Sequence, residues 1–175
     1  MDPLYRARAR AHVGDLPPEL ITQWAALALT RGYDSPTLRE LAGAPDDPPT
    51  LRDLLTTALD ELGAPRLNDH QALWVMAHTH ARAVVDGLIS PEEGAELLWH
   101  IARDLGYPDQ LAFFVNEATD WEYAWELDHD ESRRDIVEEA GTLLATITAE
   151  TLDQEPDPAR LPVYWHEVDE LPTTE

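Results

Sequence analysis

The chain has 175 residues, 43% of them hydrophobic, and sets 35 Asp and Glu against 12 basic residues, all Arg, for a formal net charge of −23. A field of that sign repels nucleic acid and anionic lipid and attracts basic protein surfaces, and the absence of Cys excludes disulfides, thiol nucleophiles and thiolate metal sites. No apolar run approaches the ~20 residues that cross a bilayer, and Met1-Asp2-Pro3-Leu4-Tyr5-Arg6 lacks the apolar stretch of a secretory signal, so a cytoplasmic protein is expected.

Apolar residues recur at helical spacing and no segment alternates with period two. This predicts an all-α fold of about seven or eight helices in two packed modules, spanning 1-63 and 64-149, with an acidic, Pro-containing tail over 150-175. Arg6, Arg8 and Arg10 form the one basic cluster, and alternate positions do not share a helix face. The first clear helix follows Pro17-Pro18 and runs over about Glu19–Thr30, with Ile21, Trp24, Ala25, Ala28 and Leu29 on one face and Gly32 beyond its end. Ser35 and Pro36 read as N-cap and N1 of a short helix, Thr37–Ala42, closed by Gly43. Asp46-Asp47-Pro48-Pro49 reads as a linker. Leu51, Leu54, Leu55, Ala58, Leu59 and Leu62 then make the apolar stripe of a helix that stops at Gly63.

In the second module Asn68 or Asp69 caps a helix over His70–Val85, ended by Gly87. Ser90-Pro91-Glu92-Glu93 predicts a capping box in which Ser90 is the N-cap and Glu93 reaches back to it. The helix it opens runs to about Leu105 with Leu97, Leu98, Ile101 and Ala102 inward, and Gly106 follows. A helix from Asp109 to about Leu127 and another over Ser132–Ile147 flank the acidic knot Asp128–Glu131.

The candidate chemistry is sparse. His78 and His80, two apart on a helix, point roughly 200° away from each other and do not chelate one ion; the expectation puts one toward the core near Trp74 and the other in solvent. Glu93, Glu96 and His100 share a face and could contribute to a metal site only with ligands from another helix. The plain reading is a solvated polar stripe. An EF-hand register starting at Asp128 matches ligand types but puts Arg133 where the loop needs Gly, and is rejected. Trp121, Tyr123 and Trp125 interleave with Asp120, Glu122, Glu126, Asp128, Asp130 and Glu131. Trp121 and Trp125 extend the stripe of Leu111, Phe114, Val115 and Ala118, which favours core packing, while their carboxylate-edged rims suit a partner's Arg or Lys.

Two segments carry a resemblance. Asp34-Ser35-Pro36-Thr37-Leu38-Arg39-Glu40-Leu41-Ala42-Gly43 and Gly87-Leu88-Ile89-Ser90-Pro91-Glu92-Glu93-Gly94-Ala95 are similar to motifs of small all-helical actinobacterial proteins. In those, too, a helix like Ile136–Leu144 follows an acidic stretch. Some members look like immunity proteins of toxin systems. The resemblance implies a helical binding protein and carries no catalytic residues over. Separately, His129-Asp130 resembles the dipeptide of HD-type metal phosphohydrolases, which would recruit His100 or His80 with a distant Asp such as Asp153.

The leading expectation is an acidic binding module of immunity or antitoxin type, more a binder than an enzyme. It would meet a basic protein partner, a toxin among the candidates, through Trp121, Glu122, Trp125, Glu126, Asp128, Asp130 and Glu131, without nucleic acid, membrane or cofactor. The competing expectation is an HD-like metal-dependent phosphohydrolase using His100, His129 and Asp130.

Overall fold

A computed structural model describes residues 3–123, 129–148 and 151–152, with the backbone alone at 119–123 and 129. Among the described residues the protein is all-α, with no strand. The helices are α1 (Pro3–Val13), α2 (Pro18–Thr30), α3 (Pro36–Ala42), α4 (Pro48–Glu61), α5 (Asp69–Val85), α6 (Pro91–Asp104), α7 (Ala112–Tyr123) and α8 (His129–Thr146), with a 3-10 turn, Asp109–Leu111, leading into α7. Five of these eight helices open on proline, which has no N–H to leave unsatisfied in the first turn and already holds a helical φ.

Two compact units divide the chain, Met1–Met76 and Ala77–Glu175. The division falls inside α5, later than the module boundary that the sequence places at Gly63.

The first unit builds its core from α1 to α4. Ile21, Ala25 and Ala28 of α2 and Leu38 and Leu41 of α3 are buried with Leu51, Leu55, Ala58 and Leu59 of α4, and Trp24, Leu29, Leu54 and Leu62 pack against them. These are the stripes expected from the apolar spacing. Two expectations need correction. An earlier helix, α1, precedes Pro17-Pro18, and its buried residues are Ala7, Arg8 and Ala9. Asp47-Pro48-Pro49 is not a linker but the start of α4: Asp47 is the N-cap and accepts from the Thr50 N–H at 3.3 Å, and both prolines lie in the first turn.

Polar ties reinforce this unit. Arg8 is 7% exposed and its guanidinium meets Asp60 on the last turn of α4, where Arg66 also approaches at 3.5 Å. Ser35 Oγ accepts from the Leu38 N–H at 3.1 Å, and Glu61 takes the Thr37 N–H at 3.0 Å and the Thr37 hydroxyl at 2.7 Å. The Thr37 and Ser35 hydroxyls and the Thr37 amide hold the Glu61 carboxyl below the usual carboxylate range. Asp34 and Arg39 pair through two hydrogen bonds, which lower the Asp34 carboxyl and raise the Arg39 guanidinium.

α5 starts on a capping box that the sequence reading left between two residues. Asn68 is the cap: its Oδ1 accepts from the Gln71 N–H at 2.8 Å, and Gln71 Oε1 accepts from the Asn68 N–H at 3.1 Å. At α6 the box is built differently from expectation. Ser90 Oγ accepts from the Glu93 N–H at 3.2 Å, but the carboxylate drawn to Ser90 is that of Glu92, which also accepts from Arg133 of α8.

In the second unit α6 packs against α7 and α8, burying Leu98, Ile101 and Ala102 with Phe114, Ile136, Ala140 and Leu143. Gly94 of α6 packs directly against Val84 of α5. A Cβ added there would fall inside the van der Waals envelope of Val84 Cγ2, and valine, stiff at χ1, has little room to turn away. α6 ends on two successive left-handed residues, Gly106 (φ 77°) and Tyr107 (φ 58°), with the Tyr107 N–H returning to the Ala102 carbonyl at 2.7 Å. The glycine accepts that conformation freely; the tyrosine is held in it by the returning hydrogen bond.

One prediction concerns each unit. Asp60→Ala leaves Arg8 buried and poorly paired, and because Asp60 itself is partly exposed the cost is expected at about 1–3 kcal/mol, below that of a fully buried pair. Arg8→Met, which keeps the packing of the stem, should cost much less in urea unfolding. Gly94→Ala gains about 1 kcal/mol of helix propensity but forces an overpacked contact costing about 1–3 kcal/mol, so stability falls. Adding Val84→Ala should recover a larger share of that loss than Val84→Ala's own cost predicts, a non-additivity readable in a double-mutant cycle.

Candidate functional site

Of the residues proposed to meet a partner, Asp130 and Glu131 are described, and both are exposed in the first turn of α8. Trp121 and Glu122 lie on the backbone of α7 with side chains outside the described residues, and Trp125, Glu126 and Asp128 lie outside them altogether. The described part of the site is therefore one helix face. Ile136, Ala140 and Leu143 of α8 are buried, together with Ser132. Glu131, Asp135 and Glu138, spaced i, i+4 and i+7, stand on the opposite, exposed side.

The cations near this face are already committed. Arg133 donates to Glu92 Oε1 at 2.5 Å and to Asp130 Oδ1 at 3.0 Å, and Arg134 Nε donates to the Asp130 carbonyl at 3.1 Å. Partial burial pushes the Glu92 carboxyl up, but its own amide, Arg133 and Ser90 outweigh that and hold it below its ordinary range. The same contacts raise the Arg133 guanidinium. No cation among the described residues lies within ion-pairing distance of Asp135 or Glu138.

Several histidines have defined neighbours. His70, not His78 or His80, is the partner of Trp74: its Nε2 accepts from the indole N–H at 3.2 Å, with the rings edge to face. Trp74 is buried, and burial lowers the His70 imidazole from its ordinary range. His78 and His80 are both half-buried, so neither takes the solvent-facing place expected of one of them. His12 Nε2 meets Asp69 at 2.7 Å.

Glu93 and Glu96 are exposed on α6, with His100 Nε2 4.0 Å from Glu96 Oε1, and Trp99 lies between the His100 ring and the Arg103 guanidinium. This is the solvated polar stripe expected there. Among the described residues no three His, Asp or Glu side chains converge as a metal site would require. Of the set His100, His129 and Asp130, Asp130 is engaged with Arg133 and the His129 side chain lies outside the described residues.

Comparison with known proteins does not add a family. No protein-family model matches this chain, and neither a curated protein nor a solved structure matches it. No helix among the described residues is long and apolar enough to cross a membrane.

The His70–Trp74 contact makes a pH prediction with a defined sign. The unfolded imidazole titrates near 6.5, and the folded one lower, so the unfolded chain binds more protons in that window. The stability this group contributes is complete above pH 6.5 and is lost as pH falls through the depressed folded value. Urea unfolding at pH 8 and pH 5 should show a larger acid loss for the wild type than for His70→Gln, whose side chain retains an acceptor for the indole without a titrating proton (pH values set about one and a half units either side of the imidazole range).

Proposed function

We propose that the chain is a cytoplasmic, acidic protein-binding module of immunity or antitoxin type, which covers a basic surface on a protein partner and has no catalytic site of its own. The observation that carries this reading is the exposed carboxylate stripe Glu131, Asp135 and Glu138 on α8, within the stretch from Asp104 onward that holds 20 of the chain's acidic residues against three arginines. Such a stripe raises the local concentration of a cationic surface and speeds encounter more than it tightens the final complex. The aromatic-acidic segment just before α8, with Trp121, Glu122, Trp125, Glu126 and Asp128, would supply the apolar anchors that carboxylates alone do not. The resemblance of Asp34–Gly43 and Gly87–Ala95 to motifs of immunity-like helical proteins suggests only the class of partner; the surface of α8 carries the argument for binding. A toxin is the partner the resemblance suggests.

The test begins with a pull-down from the native host and the association kinetics of the recovered partner. Association should be fast at low salt and fall steeply as salt rises, since exposed charges are screened over ~10 Å at 0.1 M. Asp135→Arg with Glu138→Arg should slow association while altering stability within about ±0.5 kcal/mol; Glu122→Arg with Glu126→Arg should slow it likewise. A partner indifferent to both salt and charge reversal would sink the acidic face. Stoichiometric metal in the purified protein by elemental analysis, with phosphohydrolase activity abolished by Asp130→Asn, would establish the competing enzyme instead.

A further inference from the structure

We propose that the outward face of α8 receives a helix of the protein partner, one that carries Arg or Lys along one edge and crosses α8 at Gly141. This inference rests on the reading of α8 as the partner-binding element and names what docks there.

The glycines mark the crossing point. Five of the chain's eight glycines hold a positive φ, Gly43 ends α3, and Gly94 lies against Val84. Gly141 has none of these reasons. It stands inside α8, where glycine costs helix stability relative to alanine. A Cβ added to it would meet no atom of the described residues within 4 Å. The fold would accept a side chain there, so what the missing Cβ permits is a close approach from outside. Val137 and Ala145, one turn before and one turn after, are exposed with it, and Val137 leaves 36% of its surface in water. Rows at i, i+4 and i+8 are those along which helices interlock, with axes about 8–10 Å apart. Gly141 is a notch in such a row. Ile136, Ala140 and Leu143 are buried on the other side of α8, which fixes the row outward.

Charge decides which helix fits. Glu138 borders the row and Asp135 lies beyond it, both exposed, with no cation among the described residues within ion-pairing distance of either. A second copy of the chain would bring like charge to this face. So would residues 153–175, which hold seven acidic side chains against one arginine. A helix with cations along one edge complements the carboxylates, while its apolar seam covers Val137 and Ala145 and seats a side chain on Gly141.

The probe is a hydrocarbon-stapled helix of about 20 residues, long enough to stay helical, with Leu and Ala on one face and Arg along one edge; its twin carries Gln for Arg. Binding to the full chain is read by fluorescence anisotropy. The Arg peptide should bind at least about tenfold more tightly than its twin, a difference of about 1.4 kcal/mol. Any cationic peptide meets the field of this chain, so a neutral substitution decides. Gly141→Leu should weaken the Arg peptide at least about tenfold. Gly141→Ala should weaken it less, while raising the urea midpoint of the free protein. An Arg peptide that does not bind, an affinity unchanged by Gly141→Leu, or a Gly141→Ala protein that unfolds more easily would each overturn the docked helix. If Asp135→Arg with Glu138→Arg still weakens a peptide that ignores Gly141→Leu, the acidic face stands and the helix alone fails. A dimer of the free protein that Gly141→Leu dissociates in sedimentation would give the face to a second copy. NMR signals of residues 161–165 that shift in Gly141→Leu would give it to the chain's own end, and either result overturns the assignment.

Discussion

The first unit depends on two carboxylates in an electrostatically poor place. Asp60 and Glu61 occupy the last turn of α4, where the exposed carbonyls of a helix disfavour negative charge. Both are used at once. Asp60 faces the buried guanidinium of Arg8 and thereby fixes α1, while Glu61 holds the first amide and hydroxyl of α3 through Thr37. One helical turn thus connects three helices, beside the apolar stripes of α2 and α4 that pack in the same unit. The arrangement explains how a 7-residue helix persists: α3 is too short to be stable alone, and its free amides are taken by Ser35 and Glu61.

The two segments Asp34–Gly43 and Gly87–Ala95 are architectural. In the first, Asp34 pairs with Arg39, Ser35 caps, Pro36 opens the turn, Thr37 meets Glu61, and Leu38 and Leu41 are buried. In the second, Gly87 turns left-handed at the end of α5, Ser90 caps α6, and Gly94 lets α6 approach Val84. Such residues can be shared by proteins that bind quite different things, because they specify how helices start, stop and cross. A functional argument must therefore rest on surface chemistry, which here means the stripe on α8.

Helix starts and buried stripes were legible where they used strong signals: Ser-Pro caps, and leucines at helical spacing. α1 was not, for a physical reason. Its buried face is Ala7, Arg8 and Ala9, so the periodic signal consists of a small side chain and a charged one, and nothing short of the partner Asp60 reveals that Arg8 points inward. Asp47 was misread because two successive prolines suggest a connector, although proline in a first turn is favourable. The indole partner of Trp74 was legible from i, i+4 spacing to His70, yet the pair at His78 and His80 looked more like chemistry. At the candidate site, the exposure of Asp130 and Glu131 follows from their place at a helix start. The continuation of that charge through Asp135 and Glu138 required the burial of Ile136 and Ala140 to fix which side of α8 faces outward.

Every cation in the described ion pairs is an arginine or a histidine, and the chain has no lysine at all. Lysine surrenders its proton near pH ~10.4, whereas arginine keeps its charge beyond about pH 12. The ties that join α1 to α4, Asp34 to Arg39 and α6 to α8 therefore outlast the alkaline range in which lysine-paired proteins lose theirs. Their weak side is acid, where Asp34, Glu61 and Glu92, ionised below the usual carboxylate range, give up their contribution only as pH falls through those lowered values. These described ion pairs are therefore lost from the acid side and not from the alkaline one.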